Sequence, residues 1–234
     1  MINLPKRGGV TAKLSSPSLR RVKTISFLAK LIIAGSMFAP IAFSQQEQYP
    51  VHPDSKKQAG VPSGKVTQAK FADSTVYPGT DRDYWIYVPA QYEPGQAASL
   101  MVFQDGKAYV NGSTFNALDN LIHRRDIPVM IGVFVNPGVV PPQNENAQTR
   151  FNRSLEYDDM SDRYSQFLID ELLPHIERTH DVQFSIDPNL RGITGASSGA
   201  ICAFNVAWHR PDSFHRIYST IGTYVGLRGG DGIP

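Results

Sequence analysis

A serine with a glycine two residues to either side is the pattern in this chain best suited to chemistry. It falls in Gly195-Ala196-Ser197-Ser198-Gly199, which fits G-x-S-x-G with Ser197 at its centre. Ser198 does not fit, because Ala196 and Ala200 would then occupy the glycine positions. The motif is weak alone, and its context strengthens it. Residues 190–194 read as a short strand and 198–208 as a helix, the passage a nucleophilic serine needs. So tight a turn strains the serine backbone and projects its hydroxyl. Strand and helix nearly touch there, so Gly195 and Gly199 must lack side chains. Free N–H groups at the helix start favour a developing oxyanion. A glycine-rich turn that binds nothing, or one that cradles a phosphate, is the plainer alternative. The sequence has neither the Gly-Lys-Ser/Thr close of a phosphate loop nor a G-x-G-x-x-G fingerprint.

Acyl transfer also needs two oxyanion donors. The N–H of Ser198 is one candidate, and the loop after the third strand should supply the other. That loop is Gln104-Asp105-Gly106-Lys107-Ala108-Tyr109, so the N–H of Gly106 or of Lys107 is expected in this role. A plain Asp-Gly turn is the alternative. A third polar cluster, residues 150–159, should lie near the same sheet edge. An Arg153–Glu156 pair there could orient substrate or simply brace the loop.

The elements that must position these groups can be read from periodicity. Residues 66–73 alternate apolar and polar, and 82–88 (RDYWIYV) are rich in β-formers. The two fit an antiparallel hairpin around Pro78-Gly79. Residues 99–103 and 129–135 are short apolar runs, suited to strands buried on both faces. Residues 114–125 carry Phe115, Leu118, Leu121 and Ile122 at helical spacing. Residues 161–179 give the strongest helix, with Ser161 placed to cap it and Pro174 to bend it. A last strand is expected over 217–221. Trp85, Trp208 and the single cysteine, Cys202, read as core. Strands alternating with helices predict an α/β protein with a mostly parallel sheet.

Composition narrows the function classes. Of 234 residues, 23 are Lys or Arg and 21 Asp or Glu. Seven of the basic residues and none of the acidic ones fall within residues 1–44, leaving the rest at net −5. A nucleic-acid-binding surface, which needs clustered positive charge, is therefore not expected. One cysteine excludes an internal disulfide framework and a multi-cysteine zinc site. Residues 31–43 form an apolar run behind those basic residues and before Ala42-Phe43-Ser44, as in a secretory signal cleaved after Ser44. The run is short for a bilayer span, so an exported protein, periplasmic or secreted, without a membrane span is expected. Residues 45–65, with three prolines and two glycines, read as a linker or extended arm, and 66–234 as the folded domain.

These pieces together resemble exported esterases of the enterochelin-esterase-like (esterase D-like) branch of the α/β-hydrolases. The matching segments are MVFQDG at 101–106, RSLEYDDMSDRYSQFLIDELLP at 153–174, GASSGAICAFNVAWHRPDSF at 195–214 and IGTYVGLRGG at 221–230. The resemblance implies a three-layer α/β/α sandwich, Ser197 as nucleophile, no metal or other cofactor, and a small-molecule or carbohydrate ester as substrate. It also implies active-site roles for Arg153 and Glu156. Ala200 departs from it, standing where a second glycine is expected.

In the α/β-hydrolase order the acid and then the histidine follow the serine. Residues 222–234 contain no histidine, His209 and His215 sit in a helix end and turn, and the other four histidines precede Ser197. The expectation is a domain incomplete at its C-terminus, lacking its last strands and inactive alone. Loss of an essential triad member can lower kcat by about 10⁶. A non-catalytic scaffold on this fold, or an acyltransferase, remains an alternative reading.

Overall fold

The strand Arg82–Val88 (β2) shows how the sequence builds the domain. Its residues alternate between two apolar layers, Tyr84 and Ile86 joining one and Trp85 and Tyr87 the other. A strand so covered on both faces belongs inside a sandwich. The computed structural model describes residues 49–222 and 224. The leader expected at 1–44, and nearly all of the segment after residue 222, lie outside them.

Six strands follow the path β1-β2-β4-β3-β8-β9, with β1 Lys65–Phe71, β3 Ala97–Gln104, β4 Met130–Val135, β8 Arg191–Ala196 and β9 Arg216–Thr220. β4, β3, β8 and β9 run parallel, while β1 and β2 are antiparallel additions at one edge. The sheet is thus mixed, parallel in the part that bears the serine. A seventh, two-residue strand, Gln183–Phe184 (β7), pairs with β3. Between β4 and the long helix, Val139–Val140 (β5) and Arg150–Phe151 (β6) form a small separate hairpin.

Helix α1, Gly112–His123, covers one face through Leu118 and Ile122 against Trp85, Tyr87 and Phe134. The other face carries α2, Arg153–Tyr157, the long helix α3 over residues 163–180, and α4, Ser198–His209. Here Leu100, Val102, Ile131, Val133 and Ile193 meet Phe167, Leu168, Leu172, Ile176 and Val206. Each of these large side chains contributes about 1.5–3 kcal/mol when fully buried. Helix α3 comprises Arg163–Gln166, a π-wound stretch Phe167–Leu172 and Leu173–His180. Pro174, expected to bend the helix, lies just after this π-wound stretch. Pro174 has no N–H to give, and the N–H of Leu173 donates to the Leu168 carbonyl five residues back.

Ser161 does not begin this helix; Asp162 precedes its first turn, and Ser161 Oγ only accepts from the Arg163 N–H at 3.4 Å. Trp85 and Cys202 are buried, as expected of core residues, but Trp208 is 72% exposed and stacks on Phe204. It lies one turn beyond Phe204 on the outward face of α4. The segment before β1 is an arm fixed to α1: Asn120 donates to the carbonyls of Asp54 and Lys56, and Arg124 grips the Asp54 carboxylate. Among the described residues no helix is long and apolar enough to cross a membrane, and no cluster of three or more His, Cys, Asp or Glu side chains could hold a metal.

Candidate active site

Ser197 occupies the turn between β8 and α4 with φ 55° and ψ −125°, a left-handed conformation costly for a residue with a side chain. It is exposed, and its hydroxyl makes no hydrogen bond with any described residue. Its N–H donates to the Thr220 carbonyl of β9 at 3.1 Å, so the turn is tied to the neighbouring strand.

Gly195 and Gly199 explain how so sharp a passage is possible. A Cβ on Gly195 would lie 2.9 Å from the Cα of Gly199 and closer still to its carbonyl group. A Cβ on Gly199 would instead come within 3.0 Å of an Asp105 carboxylate oxygen and 3.3 Å of the Gln104 Cβ. The serine turn and the turn after β3 therefore abut. They must, because β3 pairs with β8 in parallel register, Phe103 opposite Thr194, and both strands end at the same edge of the sheet. In open α/β sheets, ligands bind along this carboxyl edge.

Ser198 is the first residue of α4 and is buried. Its N–H opens the first turn of a twelve-residue helix, where the positive end of the dipole lies, and has no acceptor among the described residues. Gly106 is buried in the turn after β3, and a Cβ on it would run into the backbone of Phe134 and Val135. Lys107 is exposed, and its N–H already donates to Asn136 Oδ1 at 2.9 Å. Of the two amides expected from this loop, Lys107 is thus committed elsewhere and Gly106 is left.

The expected pairing of Arg153 with Glu156 does not occur. Arg153, half-buried on α2, holds Asp105 through two parallel bonds, Nε to Oδ1 and Nη2 to Oδ2, each 2.7 Å. This bidentate clamp raises the Arg153 pKa above its ordinary value, hydrogen bonding to Asp105 being the largest cause. Asp105 sits at φ 54°, and the clamp secures that left-handed turn. Glu156 is fully buried and takes Arg82 Nη1 at 2.6 Å and Nη2 at 3.0 Å, with the Gly138 N–H at 3.1 Å. Burial lowers the Arg82 pKa, but the hydrogen bonds and charge of Glu156 outweigh it, and the net shift is upward. A carboxylate so enclosed cannot touch substrate, so Glu156 is a brace inside the fold. Arg82 is its true partner, 74 residues away in sequence.

Three further residues shape the site without having been singled out. The Tyr157 hydroxyl, fully buried, accepts the Asp105 N–H at 3.0 Å. Tyr164 donates to Gln104 Oε1 at 2.6 Å, fixing the last residue of β3. Asn136, just past β4, takes the Lys107 N–H. Tyr157 and Tyr164 belong to the RSLEY…RYSQ stretch, whose aromatic spacing was the available signal. Burial drives both phenol pKa values well up, so they stay neutral. The Cys202 thiol, also raised by burial, is inert.

None of the six histidines hydrogen-bonds Ser197. His209 Nε2 meets the Met160 carbonyl, His215 Nδ1 meets Asn189, His180 meets the Tyr84 hydroxyl and His175 packs edge-on to Phe71. His52 receives the Asp54 N–H, and His123 is exposed at the end of α1.

A layered mixed sheet with a strained serine at a strand–helix turn defines an α/β-hydrolase-type protein. The chain belongs to the Esterase family, whose profile matches residues 75–223. Among solved structures it is similar to the enterochelin esterase of Shigella flexneri, with a TM-score of 0.60, 21% identity, and 80% of this chain matched to 44% of that one. Ferric enterobactin esterase from Salmonella typhimurium matches with TM-score 0.59 and 21% identity, over 75% of this chain and 40% of that one. A ferulic acid esterase from the anaerobic fungus Anaeromyces mucronatus matches with TM-score 0.53 and 19% identity, over 73% and 62%. At these identities the likeness is one of fold. The chain spans less than half the length of the two enterobactin esterases it matches. No curated protein matches it.

Proposed function

We propose that this chain carries the nucleophile and oxyanion donors of a carboxylic ester hydrolase. Ser197 attacks the ester carbonyl, and the tetrahedral oxyanion is met by the N–H groups of Ser198 and Gly106. Collapse of that intermediate expels the alcohol and leaves an acyl-serine for water to hydrolyse. The observation that carries this reading is Ser197 itself: exposed, at φ 55°, with its hydroxyl unbonded among the described residues, beside the turn after β3. A strained serine facing solvent is wasteful in a structural turn and useful in a nucleophile.

The reading of the substrate class is supported by membership of the Esterase family and by neighbours named as ferric enterobactin esterase and ferulic acid esterase. We propose a small-molecule or carbohydrate ester. Because none of the chain's six histidines hydrogen-bonds Ser197, we further propose that these 234 residues alone turn substrate over slowly, for want of a base at Ser197. The basic-then-apolar leader at 1–44 supports export to the periplasm or beyond.

An activated acetate ester tests the reading. On exposure to p-nitrophenyl acetate, an acetyl group should accumulate on the peptide containing Ser197 and be absent from the Ser197→Ala variant. Equal acetylation of both proteins at other residues would overturn it.

A further inference from the structure

We infer that Asn136 is a positioning residue, which fixes the turn after β3 so that one backbone amide, that of Gly106, remains available to the oxyanion. The inference rests on the reading of Ser197 as nucleophile and adds a residue outside the serine and donor set.

Hydrogen-bond accounting over the turn carries it. The Asp105 N–H donates to the Tyr157 hydroxyl at 3.0 Å and the Lys107 N–H to Asn136 Oδ1 at 2.9 Å. The Ala108 N–H goes to the Asp105 carbonyl, and those of Tyr109 and Val110 to the Gly106 carbonyl. Among the described residues, the Gly106 N–H is the only amide from 105 to 110 that finds no acceptor, although Gly106 is buried. Buried amides are nearly always paired, so an unpaired one in a turn beside a strained serine points to an acceptor that arrives with the substrate.

Asn136 is well held for this task. Its own N–H donates to the Asp83 carbonyl at 3.1 Å, and its carbonyl accepts from Arg82 Nη1 at 3.1 Å. Arg82 is locked to Glu156, which also takes the Gly138 N–H two residues on. The buried ion pair thus pins the loop after β4, and the Asn136 side chain passes that rigidity to Lys107. Removing the side-chain acceptor would free the Lys107 N–H and one of the three outside anchors of the turn, the others being Tyr157 and Arg153. A donor displaced by a fraction of an ångström loses much of its effect on a developing charge.

The experiment compares fluorophosphonate labelling rates of the full chain and its variants, with amide hydrogen exchange read at Lys107. Asn136→Ala should slow labelling of Ser197 about ten- to a hundredfold and speed Lys107 exchange. Asn136→Asp, which keeps an acceptor oxygen in place, should restore both to within a few-fold. Replacing the Gly106 amide by a backbone ester should slow labelling about a hundredfold or more, and the same replacement at Lys107 should match Asn136→Ala. An Asn136→Ala protein that labels Ser197 at the parental rate, or a Gly106 ester without effect, overturns the inference. Labelling that survives Ser197→Ala takes down the nucleophile reading and this inference with it.

Discussion

The Cα of Gly199 lies 2.9 Å from where a Cβ on Gly195 would stand, and the carbonyl group of Gly199 lies nearer still. The obstruction is backbone, which cannot swing aside as a side-chain tip can. Gly195→Ala must push α4 away from β8, at or beyond the upper end of the roughly 1–3 kcal/mol typical of overpacking. Gly199→Ala meets the Asp105 carboxylate and the Gln104 Cβ, which can shift by a few tenths of an ångström. Urea unfolding should therefore rank Gly195→Ala as clearly more destabilising than Gly199→Ala; the reverse order would deny the close approach at the turn.

The buried pair of Arg82 and Glu156 predicts a different asymmetry. Glu156→Ala strands a guanidinium at 0% side-chain exposure and should cost about 3–5 kcal/mol. Replacing both, as Arg82→Met with Glu156→Leu, removes the stranded charge and should recover much of that loss. Denaturant midpoints of Arg82→Met, Glu156→Leu and the double form a cycle that checks this, and a double variant as unstable as the sum of those two singles would contradict it.

Acid should weaken the fold in two stages. Burial holds His175 and His180 below the ordinary histidine value of 6.5. The unfolded chain then binds protons more readily, so their contribution is complete above about pH 6.5 and declines as pH falls below it. Glu171 follows at lower pH. Burial raises its pKa, but hydrogen bonds from Ser74, Thr75 and Val76 more than offset this and hold it below its ordinary 4.5. That stability is present above pH 4.5 and lost as pH drops through the lowered value. Unfolding midpoints measured from pH 8 to pH 3 should decline in both ranges. A His175→Gln, His180→Gln double variant should flatten the upper stage alone.

Local pattern made some of this legible beforehand and topology hid the rest. β2 runs over residues 82–88 as read, because five consecutive β-forming residues, Tyr84 to Val88, end at Pro89, which cannot continue a ladder. The serine turn was readable because its glycines answer a steric demand set within five residues. The partner of Arg153 was not: Asp105 lies 48 positions away and meets it only because β3 ends beside α2. Glu156, three residues on, was drawn to Arg153 by sequence distance, whereas the fold buries it against Arg82. β7 is two residues long, too short for any periodicity to show. Trp208 misled because an indole suggests a core, while its place on α4 faces outward.

The most direct test of the central claim is to treat the chain with a fluorophosphonate probe and map the adduct by mass spectrometry. The account predicts slow modification of a single peptide, the one bearing Ser197, and none in Ser197→Ala. An adduct on another serine, or labelling of both proteins to the same extent, would contradict it.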